Sequence, residues 1–300
     1  MSQVAAVIVL YQPDLPLLRR LLQSLDGQVE ELLVVDNSPS PDAGLGEVVA
    51  GYRSKSRYVA LGENKGVAFA HNAGIREAIE LGASHVLLLD QDSALPSGMV
   101  QTLLKAEEGL LARGTNVAAV GPVFIDEKTG EASTAVRHRY LRVRKPLIGP
   151  GSTAPVETDY LIASGCLVRV AVLKEVGMMR DELFIDWVDI EWGLRARQRG
   201  RLSYIIPQAA MSHSIGDATV RAVNRNINLH NDTRNYYIVR NATYLLRESG
   251  MGWSWRCITA LKIPQYVVFY SWHSPGRWRS LGLLCRAFMD GLSGRLGRMA

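Results

Sequence analysis

Three short apolar runs near the start of the chain predict buried strands. Residues 4–10, 31–35 and 85–89 are almost continuous in Val, Leu, Ile and Ala, as in parallel strands that are covered on both faces. Residues 58–61 predict a shorter strand, and residues 14–25 and 64–81 have helical spacing. This alternation predicts an α/β fold with a doubly wound, mostly parallel sheet flanked by helices.

The second half of the chain is less regular. Residues 137–155 are basic and rich in Pro and Gly, which predicts a loop over the C-terminal edge of the sheet. A strand and a helix are expected within residues 160–177 and another strand at 201–206, and the pattern is mostly helical after about residue 231. We therefore predict an α/β domain at 1–230 and a helical C-terminal segment at 231–300.

Polar residues follow several of the predicted strands. Tyr11, Asp36, the turn at 64–66, and the pair Asp90 and Asp92 would all lie at the C-terminal edge, where such sheets bind ligands. Two carboxylates at a strand end can converge on a hard cation such as Mg²⁺ or Mn²⁺, whose open positions suit diphosphate oxygens. The same carboxylates are also common as solvated turn residues, so the motif alone leaves both interpretations open.

Charge is concentrated at the C-terminal end. The chain of 300 residues has net charge +5, and residues 241–300 contain eight Arg or Lys against two acidic residues. A basic segment rich in Trp and Tyr suits an anionic membrane surface, or else a helical subdomain with an aromatic core. We find no nucleic-acid-binding motif and expect no nucleic-acid partner. Three scattered cysteines, no signal peptide and no run of transmembrane length favour a cytoplasmic location, with peripheral membrane contact possible.

An ordered series of motifs over roughly residues 4–245 resembles the inverting GT-A glycosyltransferases that use nucleotide-diphosphate sugars. These are VIVLY at 7–11, VVDNS at 34–38, NKG at 64–66 with NAG at 72–74, DQDS at 90–93, SGC at 164–166, the acidic segment 184–195, His213, and RNYY at 234–237 with Arg240 and Asn241. DQDS together with FIDWVDIEW resembles bacterial rhamnosyltransferases. The resemblance implies a GT-A fold, dTDP-L-rhamnose as donor, and a glycan or glycolipid acceptor.

The resemblance also implies roles for individual residues. Asp36 would bind the pyrimidine ring, Asp92 would bind Mg²⁺ or Mn²⁺ together with His213, and Asp90 would contact the ribose or reach the metal through water. The other residues expected around the nucleotide sugar are Tyr11, Asn64, Lys65, Gly66 and Asn72. Lys65 could equally be an ordinary surface lysine, and Asn72 is expected to fix the loop by side-chain hydrogen bonds.

Asp189 matches the family's catalytic base, which deprotonates the acceptor hydroxyl. The acidic residue that commonly precedes this base is replaced by Val188, and Asp186 could compensate or bind the acceptor. Glu191 is expected to be a helix N-terminal carboxylate. Trp187 and Trp192 could form an acceptor platform or belong to the core, and Arg240 could contact the acceptor or support the site from behind.

Other classes fit less well. A haloacid-dehalogenase-type phosphatase would place its DxD after the first strand and Thr or Val two residues further on, where this chain has Ala94. A nucleotidyltransferase would need a Gly-rich basic loop after Leu10. The remaining alternatives are transfer from another nucleotide sugar, rhamnolipid synthesis, and a non-catalytic sugar-nucleotide-binding protein.

Overall fold

A computed structural model describes residues 2–299 except 43, 53–54, 127–131, 133, 140–141, 145, 147, 149–150, 214–218, 223–224 and 229–230. Its strands are β1 Val4–Leu10, β2 Glu31–Asp36, β3 Lys55–Ala60, β4 His85–Asp90, β5 Val117–Asp126, β6 Arg137–Arg139, β7 Arg142–Arg144, β8 Val156–Thr158, β9 Cys166–Arg169, β10 Leu202–His213, β11 Thr219–Ala222 and β12 Arg225–Asn228. Its α-helices are α1 Leu15–Ser24, α2 Leu45–Ala50, α3 Val67–Glu80, α4 Met99–Ala112, α5 Val170–Val176, α6 Val188–Gln198, α7 Asp232–Leu245, α8 Trp253–His273 and α9 Arg277–Ser293.

One large sheet organises the molecule, with strand order β3-β2-β1-β4-β9-β5-β10-β8. Strands β1 to β5 and β10 run in one direction, and β8 and β9 run in the other. The sheet is therefore mostly parallel, as the alternation of strands and helices predicts. The antiparallel strand β9 lies at its centre, between β4 and β5.

Strand β1 shows why the apolar run is continuous. All seven of its residues are buried, because helices cover both faces of the sheet. Val4, Ala6, Ile8 and Leu10 pack on the side of α1, α2 and α4, whereas Ala5 and Val7 face a second core on the side of α3, α5 and α6. Side chains that alternate along the strand thus supply two separate cores.

The sequence locates β1, β2, β4, α1 and α3 correctly, and the third strand begins earlier than expected, at Lys55. The interpretation of residues 137–155 as a loop is partly wrong, because β6 and β7 form a hairpin there. The strand expected at 201–206 continues to His213. It extends because its second half pairs with β5 beyond an irregularity at residues 206–210.

The C-terminal segment is helical, as expected. Buried residues of α7, α8 and α9, including Tyr237, Trp255 and Leu284, belong to the same hydrophobic core as Val7 and Leu88 of the sheet. A boundary at residue 231 remains a prediction. In the described part of the chain, no helix combines the length and apolar character that crossing a membrane requires.

Candidate active site

The C-terminal ends of β1, β2 and β4 lie side by side at one edge of the sheet, as the sequence predicts. The strand register sets Asp36 beside Leu10 and Asp90 beside Val9, so the two carboxylates flank the end of β1. Strands lie about 4.8 Å apart, so the backbones at Asp36 and Asp90 are separated by roughly 10 Å. The Tyr11 N–H donates to Gln91 Oε1 at 2.8 Å, which ties the end of β1 to the DQDS turn.

Asp36 is completely buried at the end of β2. Its Oδ1 accepts the Ser38 N–H at 2.9 Å, and its Oδ2 accepts the Tyr58 hydroxyl at 2.7 Å. The first bond forms an Asx turn that caps the strand. The carboxylate is therefore oriented by the protein, and its contact with a pyrimidine ring remains a prediction.

The 64–66 turn is fastened to the end of β2 through Asn37. Asn37 donates to Asn64 Oδ1 at 3.0 Å and accepts the Lys65 N–H at 2.8 Å, while Asn64 Oδ1 also accepts the Gly66 N–H at 3.0 Å. The Lys65 ammonium lies 3.2 Å from Glu63 and 5.1 Å from the centre of the Phe69 ring. These contacts match those of an ordinary surface lysine.

Gly66 has a reason to be glycine that the sequence does not reveal. Its φ is +88°, and a Cβ there would come within 2.6 Å of the Phe184 ring and carbonyl oxygen. Close packing on the acidic segment, in addition to any approach by a nucleotide, thus requires glycine at this position.

Asn72 lies buried in α3. Its Nδ2 donates to the Met179 carbonyl at 2.8 Å and to Asp181 Oδ1 at 2.6 Å, and its Oδ1 accepts the Met179 N–H at 3.0 Å. The expectation that Asn72 fixes the loop by side-chain hydrogen bonds thus fits this geometry. Direct contact of Asn72 with the nucleotide does not, because both polar atoms of its side chain already bond to Met179 and Asp181.

A turn before β9 brings Asp90 and Asp189 together. The Ser164 hydroxyl donates to Asp90 Oδ2, and the Ala163 N–H donates to Asp189 Oδ2 at 3.1 Å. The turn is held in place because the Gly165 N–H donates to the Leu88 carbonyl of β4 at 2.8 Å. Two carboxylates more than ninety residues apart in the chain thus share one small region.

The environment of Asp189 perturbs its acidity. Burial, and then the negative charge of Asp90, raise the pKa of Asp189 to about 7, with a smaller contribution from Asp186, while the Ala163 N–H opposes the rise. A carboxylate with a pKa near neutrality is suited to accept a proton from a hydroxyl group.

The proposed metal ligands are only partly described. Asp92 is exposed after β4, and His213 is the last residue of β10, but its side chain lies outside the described residues. Among the side chains that the structure does describe, no three His, Cys, Asp or Glu residues form a group able to hold a metal ion. Asp90 and Asp92 supply the hard oxygen donors that Mg²⁺ or Mn²⁺ prefers, and the Asp92–His213 pairing remains a prediction.

The loop just before Asp189 has an unusual backbone. Phe184, Asp186 and Trp187 have φ values of 66°, 60° and 65°, which non-glycine residues rarely adopt. We call residues 183–187 the base loop. Backbone conformations of this kind each cost about 1–3 kcal/mol and persist only where the surroundings enforce them.

Two side chains of α7 enforce this conformation. Asn241 Nδ2 lies 2.9 Å from the Leu183 carbonyl, 2.8 Å from that of Ile185 and 2.9 Å from that of Asp186. Arg240, only 1% exposed, donates to the Leu183 carbonyl at 3.0 Å and lies 4.7 Å from the centre of the Tyr237 ring. Arg240 therefore supports the base loop from behind, and its alternative role as an acceptor contact does not fit this burial.

The other residues of the acidic segment take different positions. Asp186 forms an ion pair with Arg234 at 3.1 Å, and burial nevertheless raises the pKa of Asp186. Trp187 and Trp192 are 8% and 4% exposed and pack in the core, which favours the core interpretation over an acceptor platform. Glu191 lies in the first turn of α6 as expected, and it accepts two hydrogen bonds from Arg195, at 2.8 and 2.9 Å.

Three residues near the site were not assigned roles from the sequence. Ser164 and Asn241 lay within recognised motifs, but their contacts depend on distant parts of the chain. His71 precedes Asn72, is 1% exposed, and neither ring nitrogen has a hydrogen-bond partner among the described residues. Burial lowers the pKa of His71, and the nearby charge of Asp90 opposes that effect.

Solved structures with the same architecture identify the fold. The chain resembles Staphylococcus aureus TarS 1–349 with a TM-score of 0.60 at 15% identity, covering 98% of this chain and 82% of that one. It resembles GalNAc-T7, solved with UDP, GalNAc and Mn²⁺, with a TM-score of 0.60 at 14% identity, covering 98% and 58%. The protein therefore has the GT-A fold of glycosyltransferases.

The family follows from sequence similarity. Residues 6–177 match the model of glycosyl transferase family 2, and the chain belongs to that family. It is 36% identical over 248 residues to the dTDP-rhamnosyl transferase RfbF of Shigella flexneri, covering 83% of this chain and 81% of the relative. The galactofuranosyltransferase GlfT1 of Mycobacterium tuberculosis is 27% identical over 263 residues, covering 83% and 84%. The protein is a glycosyltransferase with a nucleotide-sugar donor.

Proposed function

We propose that this glycosyltransferase moves L-rhamnose from dTDP-L-rhamnose to a sugar or lipid-linked acceptor, with inversion and with a divalent metal ion. The 36% identity to a dTDP-rhamnosyl transferase supports the donor. The product would be part of a cell-surface glycan, such as lipopolysaccharide core or O-antigen. Transfer from another nucleotide sugar and rhamnolipid synthesis are the alternatives.

Asp189 is the proposed catalytic base of the transfer reaction. The acceptor hydroxyl gives its proton to Asp189 while its oxygen bonds to the anomeric carbon. The bond from that carbon to the diphosphate oxygen breaks on the opposite face, and dTDP leaves with the electron pair. The observation that best supports this role is the raised pKa of about 7 beside Asp90. An intact base also argues against a purely binding protein.

The remaining residues bind and orient the donor in this proposal. Asp36, already oriented by Ser38 and Tyr58, accepts the N–H of the thymine ring. Tyr11 and the 64–66 turn border the nucleotide, and Asp90 lies towards the ribose. Asp92 and His213 would hold Mg²⁺ or Mn²⁺, and the ion would supply positive charge for the leaving diphosphate.

The acceptor and the place of action are proposed together. A glycan or glycolipid acceptor is presented at the cytoplasmic face of the membrane, where the protein binds peripherally. Support comes from the basic C-terminal segment, whose large apolar side chains are exposed on α8 and α9. Nucleic acid is not a partner in this proposal.

A thermal-shift experiment tests the donor and the metal. A ligand at one hundred times its Kd stabilises the folded state by about 2.7 kcal/mol, which raises Tm by several degrees in a chain of this size. We expect dTDP-L-rhamnose with Mn²⁺ or Mg²⁺ to raise Tm more than UDP-glucose or GDP-mannose does, and EDTA to remove most of that rise. A larger rise with either competing donor would contradict the proposed substrate.

Two variants test whether Asp92 is responsible for the metal-dependent rise in Tm. Asp92→Ala should lose the metal-dependent part of the shift and the transfer activity, while its Tm without ligand stays unchanged. Glu108→Ala removes another exposed carboxylate, from α4, and should behave as wild type. Full activity of Asp92→Ala, or of wild type in EDTA, would overturn the metal assignment.

A further inference from the structure

Exposed apolar side chains are concentrated in the last two helices. Among the described residues, eight of the twelve large exposed hydrophobic side chains lie in α8 and α9, whereas isolated ones are normal on any surface. The most exposed are Trp278 at 86%, Trp253 and Leu261 at 70%, Val268 at 67%, Trp272 at 64% and Met289 at 62%. Such a concentration marks an interaction surface.

Helix α8 is apolar on two faces. Ile263 and Tyr270 are buried against the core, which accounts for the packing of α8 on the enzyme. Leu261, Val268 and Trp272 are spaced seven and four residues apart, so they form a stripe along an outer face. The inner face alone therefore explains folding, and the outer stripe is available for a partner.

The stripe ends in a basic corner. Trp272 lies at the end of α8 and Trp278 at the start of α9, and the Arg277 guanidinium lies 4.6 Å from the centre of the Trp272 ring. We call Trp272, Arg277, Trp278 and Arg279 the tryptophan corner. Trp at the headgroup level beside Arg is the arrangement that anionic bilayers favour.

The positive charge of the C-terminal segment indicates what kind of partner this surface binds. Residues 253–299 contain seven Arg or Lys and one Asp, so this surface attracts an anionic partner. A second copy of the chain on a two-fold axis would bring the same arginines together, which is unfavourable. A nucleic acid would not use the aliphatic stripe at Leu261 and Val268. An anionic bilayer matches both the charge and the aliphatic side chains.

The turn that carries the corner is linked to the base loop through the start of α7. The hydroxyls of Ser274 and Ser280, on either side of the turn between α8 and α9, lie 3.4 and 3.2 Å from the Asp232 carboxylate in the first turn of α7. Two residues further along α7, Arg234 holds Asp186 of the base loop. The turn between α8 and α9 and the base loop are therefore both fastened to the first turn of α7.

We propose that the tryptophan corner docks the protein on an anionic bilayer, oriented so that a lipid-linked acceptor reaches the base loop. Presentation of the acceptor rests on the function proposed above, whereas docking itself does not depend on which sugar is transferred. Trp272 and Trp278 would insert at the headgroup level, and Arg277 and Arg279 would contact anionic headgroups.

Vesicle sedimentation tests docking without donor or acceptor. The full-length protein should sediment with phosphatidylglycerol–phosphatidylcholine vesicles at low salt, bind phosphatidylcholine vesicles weakly, and be partly released by high salt. The double variant Arg277→Glu/Arg279→Glu should lower the partition coefficient at least ~10-fold, since each basic residue contributes about 1 kcal/mol at an anionic surface. Trp272→Ala/Trp278→Ala should also weaken binding.

Matched controls make the result specific. Arg19→Glu/Arg20→Glu changes net charge equally on exposed positions of α1, and Trp253→Ala removes an exposed Trp from the other end of α8. Both controls should retain most of the binding, and the corner variants should keep wild-type Tm. Equal losses in the controls, no binding by wild type, or a stable dimer that ignores vesicles would overturn docking. Binding by an enzyme that prefers another donor would leave docking intact and refute only the proposed function.

Discussion

At the scale of single residues, the environment of Asp189 decides whether it can act as a base. Burial and the charge of Asp90 favour its neutral form, so its pKa lies near 7. A protonated Asp189 cannot accept a proton, and transfer should therefore fall as pH drops through the pKa. A cation bound near Asp90 would stabilise the carboxylate and move this acid limb below pH 7.

Asp189→Asn should keep donor binding and lose at least ~10²-fold in kcat, because the amide cannot accept the hydroxyl proton. The residual activity should also lack the acid limb seen in the wild-type pH profile. Steady-state kinetics from pH 5 to 9, with a donor thermal shift, would measure both effects. Asp186→Asn is the informative comparison. If that variant is inactive while Asp189→Asn remains active, the base is Asp186, and the choice of Asp189 as the catalytic position in the acidic segment is wrong.

At the scale of elements, helix α7 and the base loop form one unit. The loop needs three residues with positive φ, and Asn241 satisfies carbonyl groups along that stretch. Without that carboxamide, the loop would relax towards ordinary backbone angles and carry Asp186, and the start of α6 with Asp189, away from their present positions.

We expect Asn241→Ala to lower kcat at least ~10-fold while KM for the donor changes less, because Asp189 follows the base loop directly whereas Asp36 is held by Ser38 and Tyr58. Thr243→Val is a matched control, since Thr243 is equally buried in α7 and its hydroxyl donates to the Val239 carbonyl within the same helix. Kinetics and Tm should be measured for both variants. If Asn241→Ala and Thr243→Val lose the same kcat and the same Tm, Asn241 acts only as a general stabilising residue.

At the scale of the whole molecule, the C-terminal segment belongs to the catalytic core. Trp255, Ile263, Tyr270 and Leu284 are buried with the residues that cover the sheet. Beyond α9, the Gly297 N–H donates to the Glu182 carbonyl at 2.8 Å, just before the base loop. The inner faces of these helices therefore pack on the enzyme and their outer faces are exposed, while membrane attachment stays a prediction.

Deleting residues 251–300 should consequently abolish stable folding. Each large apolar side chain contributes about 1.5–3 kcal/mol on burial, so the loss of four approaches the whole stability of a typical domain. Soluble yield and circular dichroism melting of the truncated chain would measure this. A soluble truncation with wild-type Tm would instead show that the segment is an independent attachment.

The sequence by itself determined the parts of the fold that depend on local pattern. Continuous apolar runs located β1, β2 and β4, because strands that are buried on both faces are apolar between their ends. The order of motifs was enough to indicate the family and to bring Asp36 and Asp90 to one edge. The clustering of Trp and Arg after residue 250 was also visible, because composition needs no coordinates.

Only the tertiary structure decided how distant segments meet. The Ser164 hydroxyl reaches Asp90, and Asn241 reaches the carbonyls of the base loop, across 74 and 55–58 residues of chain. Trp187 and Trp192 proved to be core residues, and Arg240 proved to be a buried support. Local periodicity reports which face of an element is apolar, but not which element covers it. These contacts arise from packing between elements, and sequence spacing carries no record of that packing.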